Sequence, residues 1–522
     1  MLPDIPHKSG ASRFTLDAFG GLDRRDGAAF GAIGAMHNLT GARAPLLASR
    51  PKRRTAAAQT NPRGLCAVGS RLLTVDANAL YRDGEVFVPA LPGAANAERS
   101  FAALGTRLLI WPDRIAVDVE GGGAYQTLAA SLSRSCTFAD GTYAGEAAEG
   151  NTILAPAGTD WAALFRAGDA VTISGAAAAE NNRTAIIREI DGNALRFYEN
   201  TFTVSAAART ITVARTVPEL DFLCVCGGRV WGCKGDTIRC CKLGDPCNWN
   251  VFDGLSTDAW SAETGTPGDF TGCVSFMGWP VFFKADRIFK VYGSRPANFE
   301  VISSATLGVL PGAAKTLAVA GETLYYLSRA GFVRYNGGYP SRVDAALDTR
   351  FAGGAAGSDG RRWFVSALRS DGARELLVFD PETGSWHRED ALAVRGFACA
   401  DGTLYAQTAE AVYAVGDAAD PDEADFESSV TFAPFDGASF ASKYPVRLWL
   451  RYESASPLTA EICYDGGDWE TAAVLPAGDL AGRNTPVPIR RCGRFGLRLS
   501  AAGAWRLYAL QIETRAQRTN RK

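Results

Sequence analysis

The chain is built from short apolar stretches that alternate with glycine-containing turns. In each copy of the pattern, an apolar strand is followed by a few polar or small residues and then by a second apolar strand. Alternation with a period of two is typical of strands, and regular recurrence of a short β unit is typical of radially repeated proteins. The pattern therefore predicts an all-β protein with a β-propeller of about seven repeat units. The seven copies begin at Ser70, Thr106, Gly228, Trp279, Glu322, Arg361 and Gly402.

Two further β regions are predicted outside the repeats. The interval between the second and third copies is much longer than the others, and residues 135–216 within it carry strand patterns of their own after a short helical pattern at 161–168. This excess predicts an inserted small β-barrel, because loops at the edges of a repeat tolerate insertions. Residues 428–515 alternate at the spacing of short strands, which predicts a C-terminal β-sandwich.

Composition predicts three further segments of the chain. Residues 1–60 contain no repeat and predict an N-terminal extended arm, so that the propeller would occupy residues 61–134 and 217–416. The acidic stretch 417–427 predicts a linker between domains. Residues 516–522 form a basic tail.

Net charge and hydropathy argue against two classes of function, nucleic-acid binding and membrane spanning. The chain has 522 residues and a net charge of −2, which predicts more than one domain and argues against nucleic-acid binding by the protein as a whole. No apolar stretch approaches the length of a membrane span, and residues 1–14 lack the apolar core of a signal peptide, so we expect no membrane span and synthesis in the cytosol. Basic residues near the N-terminus are predicted to be solvated or to lie at an interface: Arg43, Arg50, Lys52, Arg53 and Arg54.

Six of the 12 cysteines fall between Cys224 and Cys247. Their spacings lack the paired C-x2-C units of a structural zinc site, and the three histidines of the chain, His7, His37 and His387, are distant in sequence. The interpretation that the pattern favours is that these cysteines pack as small buried hydrophobes along strands. A zinc site and structural disulfides remain less favoured alternatives, and no metal ligands and no cofactor are predicted.

The sequence lacks the common catalytic motifs. There is no phosphate-binding or dinucleotide-binding glycine loop, no H-E-x-x-H and no nucleophile elbow. His387 is predicted to be a lone surface histidine. A glycosidase would need two convergent carboxylates, but the candidates occupy predicted turns, where aspartate is favoured for backbone reasons. The sequence therefore predicts no catalytic residue and no enzyme; these turn-forming candidates are Asp113, Asp236, Asp286 and Asp380.

Three tryptophans of the C-terminal region are the candidate contact residues. Alternation along residues 444–453 places Leu448 and Leu450 on one face and Trp449 on the other, among arginines. An outward tryptophan flanked by arginine is typical of a protein interface. Trp469 and Trp505 join it as possible interface or glycan contacts, and core packing remains open for all three.

Several turns carry a family likeness. Residues 215–345 contain a run of specific motifs that resembles virion proteins of tailed phages and prophages, and the C-terminal region resembles them more loosely. Within that group the chain resembles the tail hub, or nozzle, proteins of short-tailed phages, sometimes called stabilisation proteins. The motifs are R-x-W-G at Arg229–Gly232, K-L-G-D-P-x-x-W at Lys242–Trp249, and the segments Phe282–Pro296, Leu324–Gly331 and Tyr335–Pro340.

This resemblance implies a non-enzymatic structural protein located in the virion tail and assembled in the host cytoplasm. It implies a ring of identical subunits, commonly six, at the tail hub or head–tail region around the DNA channel. The implied partners are other copies of the chain, a portal, an adaptor, a tail fibre or needle, and passing DNA without sequence specificity. Two alternatives stay open: a host-surface or glycan-binding tail protein and, less favoured, a propeller-type polysaccharide hydrolase.

Overall fold

The prediction of an all-β protein is confirmed. The computed structural model describes residues 11–26, 28, 31–416, 419–436 and 441–516, and these form antiparallel sheets of four to seven strands. The predicted basic tail 516–522 lies outside the described residues except for Ala516. Two compact units are present, residues 63–314 and residues 1–62 with 315–522. Helical structure among the described residues is confined to four short 3-10 turns, at Ala179–Asn181, Pro296–Asn298, Ala314–Thr316 and Ala345–Leu347.

The N-terminal region contains strands that belong to three different sheets of its unit, so it is more than an extended arm. β1 and the pair β3 and β4 join one sheet of the C-terminal region, β2 joins another, and β5 completes a four-stranded sheet with strands from residues 396–415. The five strands are β1 (Ala11–Leu16), β2 (Ile33–His37), β3 (Leu39–Thr40), β4 (Leu47–Ser49) and β5 (Arg54–Ala58).

The unit of residues 63–314 contains four four-stranded sheets and one larger sheet. In each four-stranded sheet the spatial order of the strands follows the chain. The first two are β6 (Pro62–Val68), β7 (Arg71–Asp76), β8 (Ala79–Arg82) and β9 (Glu85–Val88), and β10 (Ser100–Leu104), β11 (Arg107–Trp111), β12 (Ile115–Asp118) and β13 (Tyr125–Thr127).

A seven-stranded sheet follows within the predicted insertion. Its spatial order is not that of the chain, since the two long strands β14 and β20 pair at its centre. The strands are β14 (Ala130–Tyr143), β15 (Glu146–Leu154), β16 (Ala170–Ser174), β17 (Thr184–Ile186), β18 (Glu189–Asp191), β19 (Ala194–Arg196) and β20 (Ser205–Arg215).

The prediction of a short helix at 161–168 is wrong. Residues 161–165 form a single hydrogen-bonded turn, in which the amides of Leu164 and Phe165 donate to the carbonyl of Trp161. A segment this short gains too few helical hydrogen bonds to offset nucleation. Trp161 is instead fully buried in the core of the seven-stranded sheet, and its indole Nε1 donates to the carbonyl of Asn193 at 2.9 Å.

Two more four-stranded sheets complete this unit, and consecutive sheets share apolar cores. Cys226, Phe282 and Phe289, from two successive sheets, lie in one cluster of buried side chains. Each sheet thus buries apolar surface against its neighbours, which stabilises a chain made of short strands. The strands are β21 (Phe222–Cys226), β22 (Arg229–Lys234), β23 (Thr237–Cys240) and β24 (Trp260–Glu263), and β25 (Gly272–Phe276), β26 (Trp279–Lys284), β27 (Arg287–Tyr292) and β28 (Glu300–Ala305).

In the other unit, residues 315–416 form three four-stranded sheets. The third has the order β37-β38-β39-β5, so its last strand comes from the N-terminal region. The strands are β29 (Ala318–Ala320), β30 (Thr323–Ser328), β31 (Gly331–Tyr335) and β32 (Ser341–Arg342), then β33 (Phe351–Ser358), β34 (Trp363–Arg369), β35 (Arg374–Asp380) and β36 (Ser385–Arg388), and finally β37 (Gly396–Ala400), β38 (Thr403–Gln407) and β39 (Ala411–Val415).

Tight turns set the register of the repeated hairpins. The two-residue turns Gly227–Gly228 and Asp401–Gly402 have φ values of 57° and 72°, and of 48° and 72°. Two consecutive positive φ angles give the type I′ turn, whose twist matches that of the flanking strands, and glycine adopts such angles at little cost. This is why a glycine turn recurs at the same place in the sequence pattern.

The C-terminal strands form two facing sheets with β1–β4. One sheet, which we call sheet A, has the order β3-β4-β46-β41-β44 with β1 also paired to β46, and sheet B has the order β2-β40-β45-β42-β43. Buried Trp505 of sheet A donates its indole N–H to the hydroxyl of buried Ser428 in sheet B, so these faces meet. The strands are β40 (Glu427–Phe432), β41 (Lys443–Ser454), β42 (Leu458–Tyr464), β43 (Trp469–Leu475), β44 (Gly478–Pro486), β45 (Phe495–Ala502) and β46 (Trp505–Ala516).

Two of the N-terminal basic residues are buried, so the prediction of solvated or interface side chains is wrong for them. Arg50 binds Glu423 with both terminal nitrogens, at 2.7 and 2.6 Å, and its side chain is 3% exposed. Arg53 donates to Asp390 at 2.6 Å and to Glu389 at 2.9 Å. A buried arginine requires such partners because an unpaired buried charge is strongly unfavourable.

These contacts form a five-residue network, which we call the Arg50–Arg53 network: Arg50, Arg53, Glu389, Asp390 and Glu423. Burial alone would raise the pKa of Asp390 and of Glu423, but the adjacent guanidinium groups outweigh it and hold both pKa values below their ordinary values. The network joins the segment before β5 to the end of β36 and to the acidic stretch that was predicted to be a linker. That stretch is therefore anchored, at least at Glu423.

Replacement of Arg53 by glutamine tests the network. The change leaves Glu389 and Asp390 buried without their strongest partner, so we expect the free energy of unfolding to fall by roughly 3–5 kcal/mol. The measurement is urea denaturation of the whole protein at pH 7. Arg43→Gln, at an exposed arginine of the same segment, should change the free energy by less than about 0.5 kcal/mol. Equal effects of the two substitutions would contradict the network's role.

Candidate functional site

The outer face of sheet A carries a tryptophan surrounded by polar side chains. Leu448, Leu450 and Tyr452 of β41 are buried, whereas Trp449 between them is partly exposed, as strand alternation requires. The prediction that Trp449 points outward thus agrees with its position. We call this surface the Trp449 face and define it by the following residues: Arg13, Thr15, Arg447, Trp449, Arg451, Asn484, Gln511, Glu513 and Arg515.

Strand register places four of these residues in one row across the sheet. Gln511 lies opposite Trp449 on one side, and Asn484 lies opposite it on the other. Thr15 of β1 lies opposite Gln511, whose side-chain amide donates to the Thr15 hydroxyl at 2.7 Å. Directly opposed side chains in an antiparallel pair project to the same side of the sheet. The indole is therefore flanked by two carboxamides that can each donate and accept hydrogen bonds.

A second row is charged. Arg13 donates its Nε to Glu513 at 3.1 Å, and its guanidinium carbon lies 5.6 Å from the centroid of the Trp449 ring. Arg447 lies opposite Glu513 in register and donates to the carboxamide of Asn484 at 3.4 Å. Glu513 is thus the one carboxylate of the Trp449 face as defined above, and its side chain is 9% exposed beneath Arg13, which is 62% exposed.

The other two candidate tryptophans lie elsewhere. Trp469 begins β43 of sheet B, where the guanidinium of Arg498 lies 4.1 Å from its ring centroid and Gly496 leaves room for the ring. Trp505 is 2% exposed and packs between the sheets, so it is a core residue. Hence the structure does not bring the three tryptophans together.

The N-terminal contribution to this face could not be read from the sequence. Alternation along β1 predicts that Arg13 and Thr15 lie on the same side of that strand, but it does not predict the strand with which β1 pairs. Their partners Glu513 and Gln511 lie at the opposite end of the chain. A long-range pairing of this kind is decided by tertiary contacts.

A large cavity of the same unit lies beside this region. It has a volume of about 980 Å³ and is lined mostly by small residues and backbone from the ends of sheet A strands, together with Arg43, Lys52 and Asp479. Two cations of its wall already have acidic partners, since Lys52 binds Asp425 at 2.7 Å and Arg506 binds Glu453 at 2.7 Å. Two aromatic residues line it, the partly exposed Phe426, whose ring lies 3.9 Å from the guanidinium carbon of Arg50, and Trp505, which is 2% exposed.

Three of the four carboxylates considered for glycosidase chemistry occupy interstrand turns, and the prediction of a turn is wrong for the fourth, Asp380. Asp113 is fully buried against Arg99 at 3.1 Å and accepts the amide of Gly93. Asp236 accepts from Lys284 at 2.6 Å, and although burial opposes it, this contact holds the pKa of Asp236 below its ordinary value. Asp286 lies in another turn, Asp380 is the buried last residue of β35, and no contact found for the described residues joins any two of the four.

The cysteines between 224 and 247 are divided between two apolar cores. Cys241 and Cys247 belong to one cluster, and Cys226, Cys233 and Cys240 belong to the next. Burial raises the pKa of Cys240 and of Cys241 to about 12, which disfavours the thiolate needed for metal binding. Among the described residues, no group of three or more histidine, cysteine, aspartate or glutamate side chains is placed to hold a metal ion.

His387 is buried, so the prediction of a surface histidine is wrong. Its side chain is 5% exposed and packs against Gly41, where an added Cβ would lie 2.3 Å from ring atom Cε1. Burial lowers the pKa of His387 to about 4, although the charge of Asp380 opposes this shift. The imidazole is therefore neutral at pH 7 and serves as a packing residue between the N-terminal segment and β36.

Comparison with known proteins gives distant structural similarity only. No protein-family model matches the chain, and no curated protein matches it. Among solved structures, PorZ, a surface component of the type-IX secretion system of Porphyromonas gingivalis, is 12% identical, with a TM-score of 0.26, over 81% of this chain and 70% of that one. No helix of the described residues is long and apolar enough to cross a membrane.

Most of the other similar structures are glycoside hydrolases. A family 43 arabinoxylan arabinofuranohydrolase from Bacillus subtilis is 11% identical, with a TM-score of 0.22, over 89% of this chain and 96% of that one. An exo-β-1,3-galactanase from Phanerochaete chrysosporium is 10% identical, with a TM-score of 0.18, over 88% of this chain and all of the other. Scores this low do not assign the activity of any of these proteins to the present chain.

These neighbours nevertheless correct the functional prediction. The prediction of a non-enzymatic ring subunit of a phage virion is contradicted, because the neighbours are mostly carbohydrate-acting enzymes and none of the three described above is a phage tail protein. The prediction that the chain is not an enzyme is contradicted by the same finding. The resemblance to tail hub proteins, the ring partners and the virion location stay predictions, which neither the fold nor the structural neighbours test.

The burial of His387 predicts a pH-dependent loss of stability. The unfolded state binds a proton near the ordinary histidine pKa of about 6.5, whereas the folded state resists protonation until the pH approaches 4. The contribution of this residue to stability is therefore complete above pH 6.5 and falls as the pH decreases towards 4. Between pH 7.5 and pH 5 the loss from this residue should be about 2 kcal/mol.

Urea denaturation at the two pH values measures this loss. His387→Gln should lose less stability than the unsubstituted protein by about that amount, since the contributions of His37 and of the carboxylates are common to both proteins. An identical loss in the two proteins would show that His387 is not the group responsible.

Proposed function

We propose that this protein binds polysaccharide through the Trp449 face. The observation that carries the proposal is the row Thr15, Gln511, Trp449 and Asn484, in which an outward indole lies between side chains that both donate and accept hydrogen bonds. A sugar ring has an apolar C–H face and a rim of hydroxyl groups. An aromatic plane can stack on the first, and flanking amides can bind the second.

The composition of the face supports a sugar over a protein partner. The core of a protein interface is a cluster of apolar side chains that exclude water, with a polar rim around it. Trp449 has polar side chains as its neighbours in both directions along the row and along β41, where Arg447 and Arg451 follow at the same side. A single aromatic plane in a polar surface suits a small amphipathic ring better than a second protein surface.

We also propose the finer architecture that the sequence predicted. The seven four-stranded sheets, six with sequential strand order and the seventh completed by β5, are interpreted as the units of a β-propeller, supported by their shared apolar cores within each unit. The seven-stranded sheet of residues 130–215 is interpreted as the inserted small β-barrel, supported by its own apolar core. Sheets A and B are interpreted as the C-terminal β-sandwich.

The domain boundaries predicted from the sequence are kept as part of this proposal, with one addition. The C-terminal sandwich would include β1–β4 from the N-terminal region, because β1 and β4 pair with β46, β2 pairs with β40, and β3 pairs with β4. The polysaccharide site would then need both ends of the chain. Removal of residues 1–16 should therefore weaken binding even though no tryptophan is lost.

Substitution of Trp449 tests the proposed function. Full-length protein should be retained by an immobilised polysaccharide panel, and Trp449→Ala should lose at least about tenfold in affinity because the stacking surface is removed. Trp449→Tyr keeps an aromatic plane and should retain most of the affinity. Affinity electrophoresis through gels that contain each polysaccharide gives the measurement, and thermal melting confirms that the variants are folded.

Trp469→Ala is the matched control. Trp469 lies on sheet B under Arg498, away from the Trp449 face, so its substitution should leave retention unchanged. Failure of the unsubstituted protein to bind any polysaccharide would reject the proposal. So would equal losses in the Trp449→Ala and Trp469→Ala proteins at equal stability.

A further inference from the structure

We infer that the polysaccharide bound by the Trp449 face is acidic, with a carboxylate on its sugar units. This inference rests on the proposed function and specifies the chemical class of its ligand. It is carried by the imbalance of charge on the face. Four guanidinium groups and one carboxylate belong to it, the guanidiniums being those of Arg13, Arg447, Arg451 and Arg515. Glu453, the next outward residue of β41, is neutralised by Arg506 at 2.7 Å.

The carboxylate of the face is already engaged. Glu513 accepts Arg13 at 3.1 Å and is nearly buried, so it neutralises the base of the face and leaves its outer surface cationic. Arg447 has only the uncharged carboxamide of Asn484 as its hydrogen-bond partner among the described residues. Arg451 and Arg515 are exposed and have no acidic partner in the part of the chain that the structure describes.

The positions of Arg447 and Arg451 relative to the indole of Trp449 suit a ligand that extends along β41, as a polysaccharide chain would. Arg447 and Arg451 stand two residues before and after Trp449 on the same strand, so they project to its side of the sheet, each about 7 Å along the strand. A sugar stacked on the indole therefore has a guanidinium on either side along β41. A guanidinium group forms two parallel, charge-assisted hydrogen bonds with a carboxylate, because the planar arrangement of its N–H donors matches the two carboxylate oxygens.

Arginines of this unit that are buried or cover another side chain are paired with carboxylates. Arg50 and Arg53 are bound to carboxylates of the chain itself, and Arg498, which covers the tryptophan of sheet B, lies 3.4 Å from Glu461. On the Trp449 face, the exposed Arg451 and Arg515 stand beside an aromatic ring instead, where a carboxylate of a stacked sugar chain could reach them.

The test compares one sugar chain in two charge states. Oligogalacturonate of about six units and its fully methyl-esterified form have the same rings and differ in charge. Titration calorimetry with the full-length protein at low salt should show binding of the acid at least about tenfold tighter than of the ester. The preference should shrink as sodium chloride is raised, because partly exposed ion pairs are screened.

Substitutions separate charge from stacking. The double substitution Arg447→Gln and Arg451→Gln should abolish the preference for the acid while the ester still binds. Addition of Trp449→Ala to this double variant should then abolish binding of both forms. Arg43→Gln, at an exposed arginine that lines the large cavity instead, should leave both affinities unchanged. An effect of Arg43→Gln as large as that of the double substitution would place the site in the cavity and overturn the inference.

The outcomes distinguish the two proposals. If neither form binds and no other polysaccharide does, the proposed function fails and the inference fails with it. If both forms bind equally, or the double variant keeps the preference, the inference is overturned while polysaccharide binding stands. If a single-stranded DNA oligonucleotide binds as tightly as the oligogalacturonate and does not need Trp449, the face attracts any polyanion and the inference is also overturned.

Discussion

The Arg50–Arg53 network is the contact on which the arrangement of residues 1–62 and 315–522 depends. Two arginines that are almost fully buried bind three carboxylates from two other segments, the end of β36 and the stretch before β40. Buried charges are tolerated only when their partners are in place, so the segments must come together as one arrangement or not at all. The network thereby fixes where β4 ends and β5 begins.

The N-terminal strands on either side of the Arg50–Arg53 network belong to three different sheets. β5 pairs with β39, β3 and β4 extend sheet A, and β2 extends sheet B. His387 and Gly41 pack at the same junction, where the ring occupies the space that any larger residue at position 41 would fill. The N-terminal region is therefore a structural part of its unit.

The Trp449 face is a consequence of this pairing. Arg13 and Thr15 reach Glu513 and Gln511 only because β1 lies against the last strand of sheet A. Without β1, β46 would lose its pairing partner on that side over residues 510–515, and Glu513 would lose the arginine that covers it. The pairing of β1 with β46 thus extends sheet A and also brings Arg13 and Thr15 to the Trp449 face. One strand pairing therefore contributes both to the fold and to the proposed binding surface.

The sequence by itself determined the local structure, because strand alternation and glycine turns are local properties. It predicted an all-β chain, the outward direction of Trp449 between buried Leu448 and Leu450, and the turn positions of Asp113, Asp236 and Asp286. It could not determine burial at Arg50, Arg53, His387 or Trp505, because each is covered by residues distant along the chain. Nor could the turn motifs determine function, since turns report how the backbone folds and not what the surface binds. Only the tertiary structure decided which polar side chains surround Trp449, because strand pairing across the two ends of the chain is a long-range contact.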